Sequence, residues 1–324
     1  MGTSRRQAEK MPDVWAVVLA GGDGTRLATR TRRANGQVVP KQYCRLATER
    51  TLLETTLDRL EPIAAPQRTV VVVAAHHAPH WHSQRHDVPD ANILVQPANR
   101  GTTMGLLLAL MHIRLRDPHA HVVVVPADHG VIDESLFRWR LLDSIDESRH
   151  GLVIVLGMVP DGDDADYGWI VPGPALRRDG SLHRVSCFVE KPSEAVAKTL
   201  RANGGVWSSF VMTARLGALL ALVAEAQPAL FSLAIAQLHS DRGFEPECLA
   251  RFYDLVPVSD FSRDVLSQLP DALWVATVEP CGWSDLGTPE RLDRFLHARQ
   301  HATVVTLPPV TRTPTASDLT ATAS

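Results

Sequence analysis

The chain has 324 residues, 45% hydrophobic and 21% charged, a composition that excludes a disordered or collagen-like polymer. A formal net charge of −3 shows none of the basic excess expected of a nucleic-acid-binding domain. The length suits one elaborated α/β domain or two smaller ones.

Apolar runs of strand length open the chain: Val14–Ala20, Thr69–Ala75, Asn92–Gln96 and His121–Pro126. Most are followed by helical patterns, at Thr51–Leu60, Thr102–Arg116 and Glu134–Ser148. Continuous rather than alternating hydrophobicity predicts strands buried on both faces, as in a parallel sheet. Alternating βα units predict a doubly wound, Rossmann-like α/β fold with a mostly parallel central sheet. Asp133 is placed to cap its helix, and Thr288 with Pro289 to start the last one. Further along, Leu152–Val159, Tyr167–Val171, His183–Glu190, Val206–Thr213 and Leu273–Val278 read as strands. Glu194–Ala202, Leu216–Ala226, Pro228–His239 and Glu290–His301 read as helices. No linker or repeat divides them, so residues 14–301 are expected to form one domain. Residues 1–13 and 302–324 are expected to be disordered tails, the second rich in Thr, Ala and Pro.

The N-terminal stretch has no apolar segment of a secretory signal, and Leu216–Leu238 is interrupted by Glu225, Gln227 and Pro228, so no membrane span is expected. Four scattered cysteines, Cys44, Cys187, Cys248 and Cys281, form no C-x-x-C pair and fit a reducing, cytoplasmic compartment. The basic residues are 29 Arg and four Lys, Lys10, Lys41, Lys191 and Lys198. Coding bias explains the excess of Arg. The lysines that survive it then mark positions where a compact ammonium matters.

The first strand runs into Leu19-Ala20-Gly21-Gly22-Asp23-Gly24-Thr25-Arg26-Leu27. A glycine-rich turn after a strand lets backbone N–H groups approach phosphate, though a plain tight turn reads the same way. No Gly-Lys-Ser/Thr follows, and Leu27 stands where the dinucleotide fingerprint needs its third glycine. Asp128 follows the strand His121–Pro126, and Asp285 lies in a Trp-x-Asp-x-Gly turn. Two carboxylates from distant segments suit Mg2+, which takes one or two carboxylates plus phosphate oxygens. Each is equally readable as a cap or turn residue. His76-His77-x-x-His80-x-His82, with His86 beyond, reads either as a metal or phosphate site or as a polar surface loop, and its spacing matches no zinc pattern.

Several segments together resemble the sugar nucleotidyltransferases, and among them the mannose-1-phosphate guanylyltransferase branch. They are the Ala20–Leu27 loop; Pro40-Lys41-Gln42-Tyr43; the Thr51–Arg59 helix; Gln96-Pro97 with Asn99-Arg100-x-Thr102; Pro126-Ala127-Asp128-His129; Tyr167-Gly168-Trp169-Ile170; Phe188-Val189-Glu190-Lys191-Pro192; Asn203-x-Gly205 with Phe210; and Trp283–Gly287. The resemblance covers residues 14–296.

It implies transfer of a nucleotidyl group from a nucleoside triphosphate to a sugar 1-phosphate with release of pyrophosphate, GTP and mannose 1-phosphate being the first pair to expect. UTP or dTTP with glucose 1-phosphate, or a catalytically weak nucleotide-sugar-binding protein, are the alternatives, and a Rossmann dehydrogenase comes a distant third. The partners implied are these small molecules, with a homodimer left open. The resemblance implies that Leu19, Ala20, Gly21, Gly22, Gly24, Thr25, Arg26, Gln96, Gly101 and Thr102 bind the nucleotide. It implies that Lys41 contacts the nucleotide phosphates and Lys191 the sugar 1-phosphate. Gly168, Glu190 and Asn203 would line the hexose site, and Asp128 and Asp285 would hold Mg2+. Catalysis would fall to Arg26, Lys41, Asp128, Lys191 and Asp285. The sequence departs from the family's pattern at Ala28-Thr29, in the long Arg-rich stretch before Pro40, at Gly101 and Met104, and at Asp260-Phe261-Ser262. These departures bear on the base and the sugar. No C-terminal isomerase, cupin or hexapeptide β-helix is present, so the transfer is expected to be performed alone.

Overall fold

The computed structural model describes residue 11 and residues 13–84 and 87–302. Most of the two expected tails, and His86, lie outside the described residues.

The first four strands are β1 (Val14–Leu19), β2 (Thr69–Ala74), β3 (Ile93–Gln96) and β4 (His121–Pro126). They pair in parallel in the order β3-β2-β1-β4. Alternate side chains of a strand point to opposite faces. Val17, Val70, Val72, Val122 and Val124 accordingly enter one core cluster, and Val18, Val71, Val73, Val123 and Val125 the other. That is why these strands read as continuous apolar runs. The helices of this half are the single turns α1 (Ala28–Thr31) and α3 (Ala78–Trp81), with α2 (Leu52–Leu60), α4 (Gly101–Arg116) and α5 (Glu134–Ser148). α4 is buried continuously from Thr103 to Ile113, so its apolar residues surround it rather than forming a stripe. Asp133 caps α5 by accepting from the N–H groups of Ser135 and Leu136, as its position predicted.

The second half comprises β5 (Val153–Met158), β6 (Gly168–Ala175), β7 (Leu182–Glu190), α6 (Glu194–Ala202), β8 (Val206–Arg215), α7 (Leu216–Ala226), α8 (Pro228–Gln237), α9 (Pro246–Leu255), β9 (Leu273–Val278) and α10 (Pro289–His301). β8 inserts antiparallel between β4 and β5, and the full order is β3-β2-β1-β4-β8-β5-β9-β7-β6. β6 pairs with both β7 and β8, so this end of the sheet curls back on itself. The expected parallel character therefore holds for β1–β4 and for β5 beside β9 only, the other pairings being antiparallel. For β6 and β7 the physical reason is connectivity: they meet without an intervening helix, and only a crossover allows parallel pairing. The helix α9 was not foreseen.

β1 connects sideways to β2, whereas β3 returns across the sheet to β4. The carboxyl ends of β1 and β4 thus flank a topological switch point, where open α/β sheets form their ligand crevice.

Candidate active site

A cleft of about 460 Å3 opens over those strand ends. Leu19, Gly21, Gly22 and Arg26 reach it from the loop after β1, and Asp128 and His129 from the turn after β4. Gln96, Asn99, Gly101 and Thr102 come from the β3–α4 connection and the start of α4. The curled half supplies Asp166, Gly168, Glu190, Lys191, Ser208, Phe210, Asp260 and Asp285.

The glycine-rich loop is held through its carbonyl groups. Gln42 donates to the carbonyls of Ala20 (2.9 Å) and Gly22 (2.7 Å), and the Tyr43 hydroxyl donates to that of Ala20 (2.8 Å). In a trans peptide the following N–H points the other way, so the N–H groups of Gly21 and Asp23 turn away from Gln42. A Cβ on Gly21 would lie 2.7 Å from Gln96 Nε2. Gln96 in turn accepts from Tyr253 Oη at 3.2 Å.

Lys41 lies behind the wall of the cleft. Its ammonium is 3.1 Å from Asp128 Oδ2 and donates to the backbone carbonyl of Asp285. Its side chain is 8% exposed, because the Lys41–Tyr43 turn is buried throughout. Asp285 is the most engaged carboxylate. Its Oδ1 accepts from Tyr167 Oη (3.0 Å), the Gly287 N–H (2.9 Å) and Arg291 Nη1 (3.1 Å), which also reaches Oδ2 at 3.1 Å. Burial alone would raise its pKa, but the Lys41 and Arg291 charges hold it below the usual carboxylate value. Arg291 also donates from Nε to Asp164 Oδ2 (2.8 Å) and lies 4.0 Å above the Tyr167 ring. Arg26 pairs with Asp166 Oδ2 at 3.1 Å and reaches within 3.7 Å of Asp285 Oδ2.

On the other wall Gly168 pairs with Glu190 across β6 and β7, and a Cβ on Gly168 would sit 2.6 Å from Glu190 Oε2. Burial raises the Glu190 pKa, against the pull of Lys191, whose exposed ammonium is 3.6 Å away. Among the described residues, the non-glycine positions with left-handed backbone are Lys191 (φ 48°), Phe210 (φ 59°) and Leu286 (φ 48°). Two line the cleft and the third follows Asp285. Such strain, of order 1–3 kcal/mol each, collects where a ligand must be held.

The family model for nucleotidyl transferases matches residues 15–301. The chain belongs to this family. The chain is 28% identical to mannose-1-phosphate guanylyltransferase of Escherichia coli K12, over 85% of the chain and 58% of the relative. It is 27% identical to the enzyme of that name from Sinorhizobium fredii, over 86% of the chain and 54% of the relative. The chain thus spans a little over half the length of these curated relatives. A crystal structure from Thermus thermophilus, titled mannose-1-phosphate geranyltransferase, superposes with a TM-score of 0.74 at 28% identity, covering 87% of this chain and 79% of the other.

Most of the site residues expected of a nucleotidyltransferase meet at one cleft, with three exceptions in kind. Ala20 is buried behind the loop, and Gly24 and Thr25 belong to the loop without lining the cleft. Lys41 faces the two aspartates rather than the open space. Asn203 is away from the site, at the C-terminal end of α6 beside Arg201 and Gly204. Its Asn-x-Gly spacing serves the turn between α6 and β8, and Ser208 and Ser209 of β8 are the polar residues that this stretch brings to the cleft. Sequence reasoning missed Arg291, Tyr167, Asp164 and Asp166. Tyr167 opened a recognised segment without being given a role there, and nothing singled out Arg291 among 29 arginines.

The histidine run lies beside the glycine-rich loop. His76 Nε2 and His77 Nε2 approach Asp23 Oδ1 at 2.7 and 3.1 Å. His129 stands edge-on to Trp283, and burial pushes its pKa down to about 4. The four cysteines are free, and no helix among the described residues is long and apolar enough to cross a membrane.

Proposed function

We propose that this chain transfers a nucleotidyl group from a nucleoside triphosphate to a sugar 1-phosphate, releasing pyrophosphate, and that GTP and mannose 1-phosphate are its substrates. The observation that carries the reaction is the single cleft that joins the glycine-rich loop and Asp128 on one wall to Glu190, Lys191 and Asp285 on the other. The choice of substrates is supported by the names of the relatives.

The nucleophile needs no activation by protein. A phosphate monoester is mostly dianionic at neutral pH, its second pKa being about 6. One of its oxygens attacks the α-phosphorus in line, the bond from that phosphorus to the β-phosphate bridging oxygen breaks, and pyrophosphate leaves with the electron pair. The protein's task is to bring two polyanions together and stabilise the leaving group. The loop N–H groups and Arg26 receive the triphosphate, and Lys191 receives the sugar phosphate. Lys41 fixes Asp128 and the Asp285 backbone, while Arg291 and Tyr167 fix the Asp285 carboxylate. The buried carboxyl of Glu190 faces the hexose hydroxyls.

The charge pattern fits a divalent cation. Five carboxylates line the cleft (Asp128, Asp166, Glu190, Asp260 and Asp285) against two cationic side chains, Arg26 and Lys191. A wall of that sign would repel both substrates unless positive charge were added. Asp128 and Oδ2 of Asp285 are hard oxygen donors on the wall, suited to Mg2+. When bound, the ion supplies Lewis-acid stabilisation of phosphoryl charge. The base and sugar are read where Thr102 Oγ1 donates to Asp260 Oδ2 (3.2 Å), since both segments depart from the family's usual pattern.

Pyrophosphate release measured across a matrix of triphosphates and sugar 1-phosphates tests the proposal. The highest kcat/KM is expected for GTP with mannose 1-phosphate, and only with Mg2+ added. A higher value for UTP or dTTP with glucose 1-phosphate would overturn the substrate assignment, and no release with any pair would overturn the reaction.

A further inference from the structure

We propose that Asp23, His76 and His77 form a second metal site, for a transition-metal ion of the zinc class, which staples the glycine-rich loop to the end of β2. The three donor atoms come from two distant segments and lie within 4.8 Å of one another. Both imidazoles aim Nε2 at the same carboxylate oxygen, at 2.7 and 3.1 Å. In a tetrahedral zinc site with bonds of about 2.0–2.1 Å, neighbouring donors stand about 3.3 Å apart. The cluster therefore needs an outward adjustment of a few tenths of an ångström, which the exposed His76 side chain can make.

Two imidazoles and a carboxylate favour zinc-class ions over Mg2+, which prefers oxygen. The site is thus chemically distinct from the Asp128 and Asp285 pair. It differs also in what it holds. Asp23 stands between Gly22 and Gly24 in the loop, and His77 packs edge-on against Tyr43, whose hydroxyl holds the Ala20 carbonyl. An ion here would fix the loop through Asp23 and through the Tyr43 contact at once. His77 is the buried member, and its Nδ1 has no hydrogen-bond partner. The supporting bond that usually orients a zinc-binding imidazole is missing, which costs on the order of 10–100-fold in affinity. The ion is accordingly expected to be exchangeable rather than permanent.

Co2+ titrated into the untagged full chain, with Mg2+ present, provides the test, since tetrahedral Co2+ has an intense visible d–d band. One equivalent is expected to bind with that band. Asp23→Asn and His76→Ala, both substitutions of part-exposed side chains, are each expected to weaken binding at least about tenfold, whereas His82→Ala on the neighbouring exposed turn leaves it unchanged. Absence of the band in the unsubstituted chain, or equal binding by it and the Asp23→Asn and His76→Ala variants, would overturn the site. Hydrogen exchange of the Gly22–Thr25 amides should slow when Zn2+ is added. Unchanged exchange at saturating Zn2+ would overturn the staple.

Discussion

The two walls of the cleft are made by different means. On the β1–β4 side, backbone does most of the work: a glycine loop with its carbonyls tied to Gln42 and Tyr43, and the first turn of α4. On the β5–β9 side, charged side chains do it: Arg291 gripping Asp285 and Asp164, Asp166 taking Arg26 from the opposite wall, and Lys191 beside Glu190. A backbone site is written in local sequence, because glycines and strand ends have local signatures. A charged network depends on pairs such as Arg291 and Asp164, 127 positions apart, which leave no local trace. The two walls should therefore fail differently when substituted.

Asp128 belongs to the backbone-built wall but projects a carboxylate into the cleft, so its removal is expected to have the largest effect on turnover. Losing one charge partner of a transition state typically costs about 2.7–4 kcal/mol, a hundredfold to a thousandfold in rate. Asp128→Ala should show that fall in kcat while the protein stays folded; some stability goes with the Lys41–Asp128 pair, but Lys41 keeps the Asp285 carbonyl. Near-normal Mg2+-dependent kcat would remove Asp128 from the reaction. It would also leave the charged chemistry wholly on the other wall.

Arg291 tests that other wall through stability. Breaking a buried ion pair by removing one partner costs about 3–5 kcal/mol. The lower end applies here, since the Asp164 side chain is 25% exposed and Asp285 keeps Tyr167 and Gly287 as donors. Arg291→Met is expected to lower the unfolding free energy by about 3 kcal/mol and to depress kcat as Asp285 loses its fixed orientation. Arg291→Lys should restore only part of either, because an ammonium cannot reproduce the two-pronged grip. An unchanged denaturation midpoint for Arg291→Met would mean that the network is a surface feature, and the contrast between the walls would collapse.

Much of the fold is legible in the sequence. α5, α6, α7 and β9 fall at their expected bounds, because caps and apolar periodicity fix such ends locally. The curl of the sheet was not legible, since β6 pairing with both β7 and β8 is set by packing across the chain. Within the site the same division holds. Asp128 was found because it follows a valine-rich strand, whereas Arg291 looked like one more arginine on a polar helix. Asn203 was misplaced because asparagine beside glycine is also what a helix end requires. Asp23 lay in the recognised loop and His76 in the recognised run, but only the alignment of β1 with β2 brings the two together.

The two halves should also differ in their response to acid, and this is the smallest of the expected effects. The histidines that burial pushes down to about 4, His77, His112 and His129, all follow or pack on β1–β4. His112, on α4, lies away from the cleft. Its pKa is lowered first by burial and then by Arg116, with Asp241 opposing, and its Nε2 is 3.1 Å from Asn92 Oδ1. Its value in the unfolded chain is 6.5. Above that pH the imidazole is neutral in both states, and its contribution to stability is fully present. As the pH falls from 6.5 towards 4, the unfolded chain takes up a proton that the folded chain refuses, so stability is lost across that window and levels off below it. Tm measured between about pH 6.5 and 5, above the range where carboxylates titrate, should fall, and His112→Gln should make the fall shallower without moving the pH profile of kcat. His77 and His129 keep their shares, so the slope is reduced rather than abolished. A slope identical to that of the unsubstituted protein would show that His112 takes up its proton equally well in both states, and the acid sensitivity would then have to come from the other histidines that burial pushes down, His77, His80, His121 and His129.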